Sequence, residues 1–541
     1  MTAKWTGLDK KKAKAPARTL DTERPNPEQA LLEMHRPVHL RAKVVYGAGQ
    51  IALAMKTILF GLFSLYFYTT VMGLSGTLVG VASAIGLLWD AIIDPVIGTM
   101  SDHARSRLGK RHVFMLAGAV GMGPSFWVFF NPPPDLPTAA LFAWLLAANL
   151  LVRTMTSLFG IPYFALGAEL SRNYDERTSV TGIRAGLALF GTMATAVFTF
   201  LLFFPATSQG GDPKLNLNGY RDMGFFCGLV MSLVGLLTTF GTLSYRQVSA
   251  GGGSKWQIGE PLFRFFTSIV AALRNASFRI VLGSYSLLFL GVVINNTLAI
   301  HFLTYYVNIT VSRHMSAFQL AFFVGALAGV AFWMRISRIV EKHLLLFTGT
   351  VGTAVVMGCA YSLLGEGHLF GTRSLPPLLF GHGLAGFFAS IIWIIPTSMI
   401  ADVVDEDELS SGSRREGTFF GLFHFGEQIA AGAAILVTGL LIDRFAGLVP
   451  GQAQQSAVTI LRIGMLYSLL PSTLLAVAAL PVLRYSLNRR RVASIQMQLG
   501  HRPSPDALEP GCQADGRFLG LTQQEREAVE RNDTDGDIPK E

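Results

Sequence analysis

The chain has 541 residues, 51% of them hydrophobic and only 15% charged, with a formal net charge of +9 and a mean hydropathy of +0.43. A soluble protein of this length would divide into several domains, but the apolar runs are too long and too many for that, which predicts a polytopic helical membrane protein. The positive charge collects in turns and tails, where the orientation rule and anionic lipid account for it, so it does not point to nucleic acid. Cys227, Cys359 and Cys512 are too widely spaced for a disulfide framework or a zinc site.

Residues 1–42 are basic and polar and read as a disordered cytoplasmic segment, with no cleaved secretory signal; the first membrane helix then serves for insertion. Apolar spans follow at about 44–72, 76–100, 113–130, 138–169, 183–206 and 222–245. A polar linker, 247–277, contains Gly251-Gly252-Gly253-Ser254. Six more spans lie at about 278–307, 316–334, 344–365, 375–400, 416–442 and 459–485. The domains expected are thus a bundle at 43–246, a linker, a bundle at 278–485 and a disordered tail at 486–541. Arg105, Arg107, Lys110 and Arg111 follow the second span, and Arg335, Arg338 and Lys342 follow the eighth. The opposite turn at 131–137, Asn-Pro-Pro-Pro-Asp-Leu-Pro, carries no basic residue. Both termini are therefore expected in the cytoplasm, with the chain multi-pass in the plasma membrane, or the inner membrane of a bacterium.

Asp90 and Asp94 lie inside the second apolar run and fall on one helix face. An ionised carboxylate in hydrocarbon costs at least about 2.5 kcal/mol, so such acids normally face a watery or protein-lined interior. The pair reads as a seat for a proton or sodium ion; bracing the bundle through an ion pair is the alternative. Ile161-Pro162 followed by Ala168-Glu169 and Arg184 is echoed by Ile395-Pro396, Ala401-Asp402 and Arg415. The echo falls at equivalent connections of two six-span halves, as in many secondary carriers. No G-x-x-x-x-G-K-[ST], H-E-x-x-H or G-x-S-x-G motif occurs, which removes nucleotide-driven pumps and the two commonest hydrolase signatures. No enzyme activity and no cofactor is expected.

Trp89-Asp90-Ala91, Asp94-Pro95, Gly98, Ser101-Asp102, Arg105-Ser106-Arg107 and Gly109-Lys110-Arg111 resemble the second-helix signature of the glycoside–pentoside–hexuronide:cation symporters. These are melibiose-permease-type members of the major facilitator superfamily. Ile161-Pro162-Tyr163, Glu169-Leu170 and Asp175-Glu176-Arg177-Thr178 resemble its fourth-to-fifth helix motif, and Ala401-Asp402, Asp405, Arg414-Arg415-Glu416-Gly417 and Phe420-Gly421 its eleventh-helix motif. The resemblance spans about residues 44–485 and implies an all-α fold of twelve helices in two bundles, working as a monomer by alternating access. It implies cation-coupled symport of a small solute such as a sugar or glycoside.

The resemblance also implies that Asp90 and Asp94 hold the coupling ion. Ile93 stands where the family commonly has an asparagine, which favours a proton over sodium. Ala54, Gly160 and Gln428 stand where the sugar carriers place an aspartate, an aspartate and a lysine. A pocket without those groups suits a different substrate, and a carrier of lysophospholipid or another amphipathic anion is the alternative. A non-transporting sensor or scaffold is the second alternative.

Other candidates come from position. Arg153, seven residues before Gly160, is suited to an anionic substrate group or to an ion pair with Asp90 or Asp94. Lys56 is a structural cation or a cavity residue. Glu427 and His424 lie beside Gln428, as a displaced acid and a proton relay, and Tyr163 and Trp393 are candidates for stacking on substrate. Asn295 and Asn296 read as interhelical hydrogen-bonding groups. Asp102, Glu169, Arg184, Asp402 and Arg415 lie at cytoplasmic helix ends, where such charges form an inner gate in this superfamily.

Overall fold

The computed structural model describes residues 39–170, 174–205, 212–246 and 272–500. Twelve helices among them are long and apolar enough to cross a membrane. They are α1 (Leu40–Tyr66), α2 (Gly76–His103), α3 (His112–Phe129), α4 (Thr138–Glu169), α5 (Tyr174–Phe203) and α6 (Leu217–Gly241), then α7 (Ala276–His301), α8 (Ser312–Ile336), α9 (Lys342–Leu363), α10 (Leu375–Ser411), α11 (Glu416–Leu441) and α12 (Ala457–Val482). Each coincides with one predicted span to within a few residues at most boundaries. Only α10 reaches well past its predicted end, because its acidic last turns are held by basic neighbours. The expected disorder of 1–38, the linker from 247 to 271 and the tail from 501 fall outside the described residues.

The first six helices pack mainly on one another, and so do the last six. The halves meet along α1 with α7, α2 with α11, and α5 with α8. An even number of spans puts both ends of the bundle chain at one face, the terminal face; the other is the distal face. Near the distal face one apolar core runs through both halves, while a second core belongs to the second half alone. Glycines allow the closest approach. Gly76 and Gly80 of α2 lie against Gly439 and Leu436 of α11, with backbone where a β-carbon would stand.

Three helices end in a π turn: Phe67–Val71 after α1, Phe302–Tyr306 after α7 and Ile442–Ala446 after α11. Such turns are rare and concentrate at functional places. α10 is broken by a 3₁₀ turn over Ser390–Trp393, just before Pro396, where proline cannot supply the next backbone donor.

One part of the tail differs from expectation. Arg489–Gln498 forms a helix, α13, where disorder was predicted from 486. Asn488 caps it, Ala493 and Ile495 are buried, and the Arg489 guanidinium donates to the Ser337 and Arg338 carbonyls at the end of α8, each at 2.5 Å. The segment is too short and too polar to stand out by periodicity; contacts with α8 and α10 hold it.

Candidate functional site

Asp90 and Asp94 sit on α2 as the spacing predicts, facing α4. The Arg153 guanidinium of α4 forms an ion pair with the Asp90 carboxylate, and both side chains are nearly buried, 12% and 15% exposed. Arg153 Nε also donates to Asn149 Oδ1 at 3.1 Å, and Asn149 in turn donates to the Ala82 carbonyl of α2 at 2.8 Å. Trp89 Nε1 donates to Thr154 Oγ1 at 2.9 Å, tying the same two helices together one residue away. Arg153 is thus committed to α2 and not free to meet a substrate anion.

Asp94 is different. Its Oδ1 is buried and accepts no hydrogen bond from the described residues. The Ser157 hydroxyl of α4, one turn beyond Arg153, interacts with it, and the charges of Asp90, Lys56 and Arg153 lie within electrostatic reach. Lys56 of α1 belongs to the same cluster; its ammonium lies 5.6 Å from the Phe60 ring centre. Two carboxylates and two basic side chains therefore share one site, and only one acid is closed by direct contact. Ser157 was missed from sequence, although its i+4 spacing from Arg153 puts it on the same helix face.

The residues predicted to touch substrate fall into two groups. Tyr163 is fully buried, stacked on Tyr46 at 4.6 Å between ring centres and on Phe159 at 5.4 Å, with Gly49 giving it room. It is a packing residue of the first half, so its expected role in stacking on substrate is corrected. Ala54 is buried, and Leu53 lies 3.7 Å from where a Gly160 β-carbon would stand. His424, Gln428 and Trp393 are exposed. His424 Nδ1 lies 3.1 Å from Glu427 Oε2, so these two are paired with each other, and Trp393 meets Phe322 edge-on. Asn295 donates to the Tyr467 carbonyl at 2.9 Å, an interhelical bond as predicted. Asn296 faces Gly61 across the α1–α7 contact.

At the terminal face the expected gate charges are each engaged inside their own half. Asp102 pairs with Arg111 at 2.5 Å, and Glu169 with Lys110 at 3.1 Å and Arg111 at 3.2 Å. In the second half Asp402 pairs with Lys342 at 2.6 Å, and Arg415 with Asp407 at 2.6 Å. Arg184 lies over the Phe164 ring at 5.2 Å. Glu169 and Asp402, the two members of the sequence echo, both bind a cation at the entry to their own half's third helix, α3 or α9. Among the described residues no ion pair joins the two halves here.

The distal face is joined instead. Thr69 Oγ1 and His301 Nε2 are 3.2 Å apart, linking the ends of α1 and α7. Ser316 Oγ donates to the Val197 carbonyl at 2.7 Å, and Ser312 Oγ to that of Phe204, linking α8 to α5. Asp443, in the π turn after α11, accepts from the Gly76 N–H at 2.9 Å, the Thr77 N–H at 2.7 Å and the Thr77 hydroxyl at 2.7 Å. A carboxylate of the second half thus caps a helix of the first. Ser75 separately accepts from the Leu78 N–H, so α2 keeps its own cap without Asp443. Replacing Asp443 by Ala should loosen the distal closure by about 1–2 kcal/mol, roughly a tenfold shift toward opening, without unfolding α2. Labelling of a cysteine introduced at Thr70 by a membrane-impermeant maleimide measures it; an unchanged labelling rate would reject the latch. Asp443 carries no sequence signal of its own, because it is defined by partners more than 360 residues away.

Residues 45–489 match the family described as MFS/sugar transport protein. An uncharacterised symporter of Synechocystis, sll1374, is 24% identical over 77% of this chain and 88% of its own length. An isoprimeverose transporter of Lactiplantibacillus pentosus is 25% identical over 82% of this chain and 88% of its own. Among solved structures, a D-xylose–proton symporter superposes with a TM-score of 0.56 at 14% identity, covering 83% of this chain and 98% of that one. At that identity the likeness carries the fold: twelve helices in the major facilitator arrangement.

Proposed function

The chain belongs to the MFS/sugar transport protein family, and from that premise we propose that it is a proton-coupled symporter of a small organic solute, with Asp94 as the proton seat. Relatives named as an isoprimeverose transporter and as a putative glycoside/cation symporter support the solute class. The observation that carries the choice of ion is the Asp90–Arg153 pair, which leaves Asp94 as the one acid of the cluster without a direct cationic partner. A sodium ion would need several oxygen ligands beside the Arg153 guanidinium, and Ile93 supplies none. A proton needs one carboxylate oxygen, and neutralising Asp94 removes a charge from the bilayer interior.

The basic turns support a cytoplasmic terminal face. Closure at the distal face with unjoined gate charges at the terminal face then corresponds to a carrier open to the inside. Glu169, Asp402, Arg415, Asp102 and Arg184 are the groups that meet across the halves when the carrier turns outward. Asp90 and Arg153 set the geometry of the seat, while the exposed Gln428, His424 and Trp393 on the second half, with the half-buried Glu427 paired to His424, are the groups available to solute. The protein works as a monomer in the plasma or inner membrane.

Proteoliposomes test the ion. A panel of pentoses, glycosides and hexuronates is added under an inward proton gradient or, separately, an inward sodium gradient at equal pH. Accumulation of a panel member under the proton gradient alone is expected. Equal accumulation driven by sodium with no proton gradient would overturn the assignment.

A further inference from the structure

A cavity of about 410 Å³ lies inside the second half, walled by α7, α8, α9, α10 and α12. It is separate from the ion cluster, which belongs to the first half. Its back wall is formed by Phe302, Met357 and Tyr467, all buried, at 0%, 7% and 4% exposure. Its mouth lies between α9 and α10, at Val355 and Phe380, which are 57% and 74% exposed. Neither α9 nor α10 packs substantially on the first half, so the mouth opens through the outer wall of the bundle, within two apolar spans, and not into the space between the halves.

The lining has no Asp, Glu, Lys or Arg. Its polar groups are largely engaged. The Asn295 amide donates to the Tyr467 carbonyl, and the His382 imidazole lies flat on Phe318 with ring centres 3.5 Å apart. Water in such a space would lack the two to four polar partners that hold a buried molecule. A charged headgroup would find no counter-charge. The volume is that of a small-ligand site, and the medium at its mouth is hydrocarbon.

We propose that this cavity is a lipid site which takes one acyl chain of a bilayer phospholipid, entering between α9 and α10 with its headgroup left outside. The chain end would rest against Phe302, the first residue of the π turn after α7. Phe302 stacks on Tyr467 at 3.9 Å between ring centres, and its neighbour His301 belongs to the distal closure. Occupancy therefore supports the gate from behind, and lipid composition becomes an input to it.

The full chain is reconstituted in phosphatidylcholine vesicles containing phosphatidylcholine with a diazirine on one acyl chain, irradiated, and mapped by mass spectrometry. Adducts are expected on Met357 and Tyr467, which the bilayer cannot reach unless a chain enters, as well as on surface residues such as Leu233, 55% exposed on α6. Gly381→Phe puts a ring at the mouth, where a β-carbon on that glycine meets nothing within 4 Å. It should lower the Met357 and Tyr467 adducts about tenfold relative to Leu233. Adducts confined to Leu233, Phe380 and other exposed positions of the unaltered protein would overturn the proposal, whatever the variant does. Undiminished Met357 and Tyr467 adducts in a folded Gly381→Phe protein would overturn it as well. The result is independent of which solute or ion is carried.

Discussion

Asp94→Asn should abolish proton-driven accumulation of solute while the protein still folds and reaches the membrane. The asparagine keeps the size and a hydrogen-bonding oxygen toward Ser157 but cannot take up a proton. Coupling requires that ion binding and solute binding favour the same state by equal free energies. With no titrating group at the seat that term is zero, and only downhill exchange of solute is left. The measurement is uptake against a gradient and, in parallel, counterflow with labelled solute on both sides. Loss of accumulation with retained counterflow is the expected pattern. Normal accumulation by the variant would remove Asp94 from the mechanism, and loss of both would point to a structural part for it.

The largest expected effect on stability belongs to Arg153. Removing one partner of a buried ion pair strands the other, at a cost of about 3–5 kcal/mol. Arg153→Ala strands Asp90 and also releases Asn149, which bridges to the α2 backbone. The double variant Arg153→Met with Asp90→Asn removes both charges and should recover most of that loss, since an uncharged pair of similar size carries no desolvation penalty. Thermal unfolding in detergent compares the three proteins. If the double variant is no more stable than Arg153→Ala, the pair is not what holds α2 to α4. Recovery in the double variant would fit the proposed division of labour at the cluster, with Asp90 paired to Arg153 and Asp94 left open to an ion.

Much of the architecture could be read from the chain because the bilayer imposes it. A span must be apolar over about 20 residues, so the twelve runs, their grouping and the acids within them are visible without any knowledge of contacts. What could not be read is pairing across helices. Arg153 had two readings of equal merit, and only the distance between α2 and α4 decides between them. Tyr163 sits beside the Ile-Pro motif, yet the helix turns it toward Tyr46 and Phe159 and away from solvent. Asp443 closes the distal face by meeting a helix end more than 360 positions earlier, a relation no local pattern encodes. The short helix at Arg489–Gln498 escaped for the opposite reason: it is ten residues long with only four apolar ones, and its start is held by carbonyls at the end of α8.

The π turns after α1 and α7 bear on ancestry. A π turn holds one residue more than the α-helical turn it replaces. α1 and α7 open their respective halves and run for 27 and 26 residues before the extra residue enters. An insertion kept at matched places in both halves is most simply inherited from a single six-span precursor that already had it when its gene was copied and fused.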